Sequence, residues 1–346
     1  MIRLKKALLY GAKYAGVFWV CRLLTSKALR ILCYHGASLG NEHEFSPGTF
    51  MRPYTFARRM AMLKKLEMPV LDLADALSKL QAHNLPKNSV TITIDDGWYG
   101  TYAHMLPVLK DLGFPATIYI SSYYVENQRF VFGMFVDYVL TNAEKRVIDL
   151  SKVNPNLTGR FRLDDAEERE QVYNQVGSYA EKFLDALGKD ELCRTLAAQL
   201  GLDAAQAEER RMLKFMNSDE VASLSGMGFD VQLHTHRHRF SPSNRDEAVQ
   251  EILDNRNVLT RLGFPSAKHF CYPSGEHAPD HPGWLEELGI ESAVTTHRGF
   301  CTARTSRFLL SRLCDSERMS DIEFEADLSG LLEILRRVRA RLINRT

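Results

Sequence analysis

The sequence contains no CxxC pair. Its six cysteines, Cys21, Cys33, Cys193, Cys271, Cys301 and Cys314, are widely scattered, which excludes a zinc-finger arrangement and fits reduced, mostly buried thiols better than a disulfide framework. Neither sign of charge is in excess: 44 Lys and Arg face 43 Asp and Glu, for a formal net charge of +1. A chain so balanced has no overall pull toward nucleic acid, and no nucleic-acid partner is expected. Long apolar runs are missing as well. The opening stretch "MIRLKKALLYGAKYAGVFWVCRLLTSKALR" is interrupted by Lys13 and Arg22 and is followed by no A-x-A cleavage site, which argues against a full membrane span. Internal repeats and low-complexity segments do not stand out. What is present is ordinary globular composition, 45% hydrophobic and 25% charged over 346 residues, enough for a substantial core in one large α/β domain or two smaller ones. A cytoplasmic catalytic protein is the expectation.

Leu4, Leu8, Ala15 and Phe18 with flanking Lys and Arg suit an amphipathic helix over residues 1–28, lying on the protein itself or making a peripheral contact with the inner face of a membrane. From residue 30 onward, β-branched runs alternate with helical stretches, and strands are expected at 30–35, 69–71, 89–95, 115–120, 229–234, 267–273 and 292–296. Repeated β-then-α order implies parallel strands with right-handed crossovers, and about seven such units favour closure. The expected fold class is therefore α/β, an irregular (β/α)7-type barrel over residues 29–320. A helix at 244–262 is marked by Ser243 as cap, Asp246 at the capping-box position, and Gly263 with Pro265 at its end. Residues 125–212 are polar and helix-prone with no convincing strand. They read as a helical insertion on one barrel loop, either a lid or substrate wall or a solvated excursion. Residues 321–346 read as a terminal helix against the outside of the barrel.

Polar residues fall at particular points of that scaffold. "TITIDDG", Thr91 to Gly97, ends a buried strand on two adjacent carboxylates, where desolvation and mutual repulsion both oppose ionisation. His35, Asp95, Asp96, His234 and the turn Pro273–Gly275 all lie at or just beyond the C-terminal ends of different strands, the face of a barrel on which active sites form. "LHTHRHRF" supplies His234, His236 and His238. Two imidazoles and a carboxylate make a three-ligand metal site with positions left for water, and Asp96 is the natural third ligand. A plain basic loop would show the same histidines.

With both segments in one chain, "TIDDG" resembles the T-F-D-D-G motif, and "HTHRH" the H-[ST]-x-x-H motif, of the metal-dependent polysaccharide deacetylases with a NodB-type domain, carbohydrate esterase family 4. "CYPSG" resembles that family's R-x-P-x-G turn and "SAVTTHRG" the strand after it, while "ILCYH" resembles a circularly permuted branch that includes poly-N-acetylglucosamine deacetylases. The resemblance implies Asp95 as general base, with Asp96, His234 and His238 as ligands of one divalent metal ion, zinc being the expected one. The ion's charge would let both carboxylates remain ionised. His236 is left unassigned. His35 is implied as general acid, with His297 the alternative, and its ring is expected to face the metal from the side opposite Asp95. Ser274, through its backbone N–H, and Tyr272 are implied in oxyanion or substrate contact. The family's arginine is replaced by Cys271, for which Arg298 is a possible substitute. Trp98, Tyr99, Tyr123, Tyr124 and Tyr272 are expected near the active face, where they could stack on sugar rings.

The implied activity is removal of N-acetyl groups from amino sugars of a bacterial surface polysaccharide or its lipid-linked precursor, so the expected partner is a glycan substrate. An O-acetyl or formyl carbohydrate hydrolase would use the same machinery, and a non-catalytic glycan-binding homologue is the remaining alternative.

Overall fold

Short runs in which every residue is apolar or tolerates burial become strands covered on both faces. Arg30–Tyr34 (β1), Val90–Ile94 (β2), Thr117–Ile120 (β3), Asp230–Leu233 (β4), His269–Cys271 (β5), Ser292–Arg298 (β6) and Leu310–Cys314 (β7) all pair in parallel. Each lies beside the next in chain order, and β1 pairs with both β2 and β7, so the sheet closes into a seven-stranded barrel. β1, β2, β3 and β5 are buried along their whole length, as parallel strands wrapped by helices require. The computed structural model describes residues 2–343; the ends of the two expected terminal helices, residues 1 and 344–346, lie outside the described residues.

Six of the seven expected strands are barrel strands, and one is not. At 69–71 only Val70 makes a bridge, to Val90. It occupies the edge of β2 below Thr93, where pairing with β3 begins, and contributes no barrel strand. The seventh strand is β7, which carries a charged residue, Arg312, in the middle of an apolar run. Opposite it, β6 is irregular: Val294 pairs with Leu310 and Arg298 with Arg312, so extra residues of β6 bulge between the two pairs. Such bulges re-aim side chains, and this one offers the Thr295 carbonyl to Arg312.

The expected insertion is helical but also contains an antiparallel strand pair, Val147–Asp149 with Arg160–Arg162. Helices Phe132–Asn142, Ala166–Phe183 and Ala186–Gln199 enclose an apolar cluster that includes Phe135, Val139, Ile148, Val176 and Leu196. That cluster extends to Trp98, just beyond β2, and to Phe50, in a short strand (Phe50–Met51) that pairs with Gly36–Ala37 beyond β1. The helix expected at 244–262 runs from Arg245 to Arg261, and its cap is Asn244 rather than Ser243, with the Asn244 side chain accepting from the Glu247 N–H. The N-terminal segment is two helices, Ile2–Tyr14 and Val17–Leu24, bent by 75°. Gly16 sits between them in the left-handed conformation (φ 77°), open to glycine at little cost. The C-terminal segment likewise breaks at Gly330 into Asp321–Ser329 and Leu331–Ile343. All six cysteines are free thiols.

Candidate active site

The loop after β2 turns at Asp96 (φ 75°) and Gly97 (φ 100°), and the loops after β4 and β5 turn at Thr235, His238 and Ser274, all with positive φ. Four of the ten non-glycine residues with positive φ among the described residues lie on these loops, a backbone conformation that is found at functional sites as well as in ordinary turns. At Gly97 a Cβ would also lie 2.8 Å from Ile120 Cδ1, so the turn that presents Asp96 needs glycine twice over. The result is convergence. Asp96 Oδ1 lies 3.1 Å from His234 Nε2 and 3.4 Å from His238 Nε2, and the three side chains can each direct a ligand atom into one small volume. His234 Nδ1 is 2.8 Å from the Cys271 carbonyl. A carbonyl can only accept, so Nδ1 holds a proton and Nε2 is the nitrogen turned toward Asp96, the one a metal ligand would offer. The donor set, two imidazole nitrogens and one carboxylate oxygen, suits a divalent ion such as zinc.

Trp98 completes that arrangement. Its indole N–H donates to Asp96 Oδ2 at 2.7 Å, while its ring packs on Phe215, centroid to centroid 4.4 Å, and on Phe50 at 5.0 Å. It is therefore no sugar platform, because the side chain is buried. Through Trp98 the core of the insertion is tied to Asp96. A second support is Asn255, fully buried on helix Arg245–Arg261. It accepts from the His234 N–H and donates to the Ile120 carbonyl and Ser122 Oγ, joining the ends of β3 and β4.

Asp95 is held differently. Arg312, fully buried in β7, donates from Nη1 to Asp95 Oδ1 and from Nη2 to Asp95 Oδ2, both at 2.7 Å. Its Nε donates to the Thr295 carbonyl at 2.8 Å, and its remaining contacts are Thr93 Oγ1 and Cys271 Sγ. Burial pushes the Asp95 carboxyl up, but the charge and hydrogen bonds of Arg312 outweigh it and hold the group at about 2. Asp96 is also buried, and the His234 and His238 rings hold it well below the carboxylate range. Arg312, not Arg298, is thus the guanidinium paired with Asp95. Arg298 instead pairs with buried Asp327. With Arg absent from 271, Cys271 Sγ lies 3.3 Å from Asp95 Oδ2.

The sequence model of the polysaccharide deacetylase family matches residues 82–293. The chain belongs to the polysaccharide deacetylase family. The fold agrees: solved structures similar to this deacetylase include the Streptococcus pyogenes deacetylase PplD in complex with acetate (15% identity, 87% of this chain and 98% of that one, TM-score 0.57). IcaB from Ammonifex degensii is 14% identical, over 87% of this chain and 97% of that one, with a TM-score of 0.55. A de-N-acetylase from Aggregatibacter actinomycetemcomitans is 12% identical, over 86% and 99%, at 0.54. No curated protein matches the sequence. The family match stops short of both β1 and β7, so His35 and Arg312 reach the deacetylase site from strands outside it, by barrel closure.

His35 follows β1, with its Nε2 3.9 Å from Asp95 Oδ2. It lies beside Asp95, not across the site from it as expected, because β1 and β2 are neighbours in the barrel. Its Nδ1 is buried with no hydrogen-bond partner among the described residues. His297 is exposed near the end of β6 and joins none of the ligand clusters found among the described residues. His236 turns away, its Nδ1 2.9 Å from Ser122 Oγ. Ser274 is exposed on its turn. Tyr272 presents no face to substrate: its ring is fully buried against Phe240, Phe270 and His281. Tyr99 lies beneath the Arg211 guanidinium, 3.6 Å from its ring centroid. Tyr123 and Tyr124 do line an opening, a cavity of about 380 Å³ between the insertion and the histidine loop, bordered also by Phe130, Lys189 and Arg239.

Proposed function

We propose that this deacetylase removes N-acetyl groups from amino sugars of a surface polysaccharide or its lipid-linked precursor, using one divalent metal ion. The observation that carries the reading is the convergence of Asp96, His234 and His238 beside a second carboxylate, Asp95, locked by Arg312. A binding protein has no use for a positioned base next to three ligand atoms. An ion held by Asp96, His234 and His238 would acidify a water and polarise the acetyl carbonyl.

The protein's own groups then divide the proton work. Asp95 accepts the proton of the attacking water, its carboxylate plane fixed by the two Arg312 hydrogen bonds. His35 gives a proton to the departing amine nitrogen. With Nε2 only 3.9 Å from Asp95 Oδ2, the group that takes a proton and the group that gives one share a single pocket. The backbone N–H of Ser274 supports the oxyanion. The cavity along Tyr123 and Tyr124 receives the sugar, with aromatic faces for its C–H surface and charged groups for its hydroxyls.

Acetate release from matched N-acetylated and O-acetylated amino-sugar oligosaccharides tests the reading. Faster turnover of the N-acetyl series supports it. Release confined to O-acetyl esters would move the protein to the ester-hydrolase alternative, and binding without release would make it a glycan-binding homologue.

A further inference from the structure

The N-terminal helix pair carries an apolar surface that the fold does not use. One side is packed: Leu9 and Phe18 are buried with Ile322 and Ala326 of helix Asp321–Ser329, and Lys5 and Lys13 are tied to Glu323 and Glu325 of that helix at 2.7 and 2.6 Å. The other side faces solvent. Leu4, Leu8, Trp19 and Leu24 are between 60% and 73% exposed, and Val20 and Leu23 are exposed with them. The i, i+4 spacing of Leu4 with Leu8 and of Trp19 with Leu23 sets each pair on one stripe of its helix. Helix Leu331–Ile343, which packs against Val17–Leu24, adds exposed Leu335 and Val338.

The helix pair itself carries charge of one sign, although the helix beneath it supplies Glu323 and Glu325 to Lys5 and Lys13. No Asp or Glu occurs before Glu42, whereas Arg3, Lys5, Lys6, Lys13, Arg22, Lys27 and Arg30 do. Lys6, Arg22, Lys27 and Arg339 have no ion-pair partner among the described residues. Exposed leucines and a tryptophan beside unpaired cations are the composition of a helix that lies in the interface of an anionic bilayer. Neither helix alone is long enough to cross one; the two together have the length and composition of a bent span, but buried Leu9 and Phe18 and the ion pairs of Lys5 and Lys13 fasten them to the folded body.

We propose that this helix pair is a docking surface for an anionic lipid bilayer, binding peripherally through Leu4, Leu8, Trp19, Val20, Leu23 and Leu24. The surface sits at the end of the barrel away from the ligand cluster, since Thr25, just past the second helix, accepts at 2.8 Å from Arg30 at the start of β1, while His35 follows its other end. Docking therefore leaves the cleft open to a glycan.

Cosedimentation of the purified full chain with vesicles tests this. Binding to vesicles of phosphatidylglycerol with phosphatidylcholine is expected, at least about tenfold tighter than to phosphatidylcholine alone and weakening with added salt. The triple variant Leu8→Glu, Trp19→Glu, Leu23→Glu is expected to lose about a hundredfold or more in binding while keeping its far-UV circular dichroism and its unfolding transition, because none of the three side chains is buried. A blue shift of tryptophan emission on binding, absent from Trp19→Phe, locates the contact. No vesicle binding overturns the proposal. So does a dimer in sedimentation velocity that the triple variant dissolves, which would make a second copy the occupant, and so does resistance to alkaline carbonate extraction, which would mean insertion rather than docking.

Discussion

Replacing Arg312 by methionine isolates the contact on which the reading of Asp95 depends. In the metal-free protein the guanidinium lowers the Asp95 carboxyl from 3.8 to about 2 against the effect of burial, a difference of about 2–3 kcal/mol at roughly 1.4 kcal/mol per unit. The folded value lies below the unfolded one, so this stability is fully present above about pH 4 and is lost as pH falls toward 2. Arg312→Met removes the pairing but leaves the carboxylate buried, which costs about 3–5 kcal/mol near neutrality. It also reverses the sign for this group. With desolvation now dominant, the Asp95 carboxyl rises above its ordinary value, and its contribution is lost as pH increases through the raised value instead of as pH falls. The double variant Arg312→Met, Asp95→Asn removes charge from both sides and is expected to be more stable at pH 7 than Arg312→Met alone. Urea denaturation of the chelated protein between about pH 3 and 8 measures all three chains. Equal stability of the single and double variants at neutral pH, or a single variant with the acid limb of the unsubstituted protein, would show that Asp95 does not depend on Arg312 for its charge.

Asp95→Asn is expected to abolish turnover while retaining bound metal, whereas Asp96→Asn loses both; metal content by atomic absorption beside acetate release checks the pair, and equal metal loss in the two would refute the division of roles. His238→Ala is expected to lose metal and His236→Ala to keep it, since only the former ring faces Asp96. Trp98→Phe keeps a ring against Phe215 but removes the bond to Asp96 Oδ2, and competition with a chelating dye is expected to show metal affinity down about tenfold or more; unchanged affinity would make Trp98 a packing residue alone. His35→Ala is expected to depress hydrolysis of amides far more than that of an aryl acetate, whose phenolate leaves without a proton, and equal losses on both substrates would return His35 to a structural role.

Motifs with fixed short spacing were legible in the sequence. Asp95 and Asp96 end one strand and His234 and His238 share one loop, so local order alone brings each pair to the barrel mouth. Arg312 was not legible, because its partner lies 217 residues away and its strand reads as an amphipathic run broken by a charge. A buried arginine between Leu310 and Leu313 was nevertheless the available signal, since such a side chain needs a carboxylate inside the core. Trp98 suits a sugar platform in sequence only for want of its partners: the insertion that covers its ring is distant along the chain. Tyr272 failed for the same reason, its neighbours Phe240 and His281 arriving from separate loops. The position of His35 beside Asp95 follows from β1 pairing with β2, a consequence of barrel closure that no local pattern encodes.

The central claim is that one metal ion at Asp96, His234 and His238 drives amide hydrolysis with Asp95 as base. The most direct test is acetate release from an N-acetylglucosamine oligomer as zinc is titrated into the chelated enzyme. The account predicts no release without metal and activity rising to a plateau at about one equivalent, with no rise in Asp95→Asn although that variant takes up the same equivalent. Full activity in the metal-free enzyme, or activity in Asp95→Asn that follows zinc uptake, would contradict it.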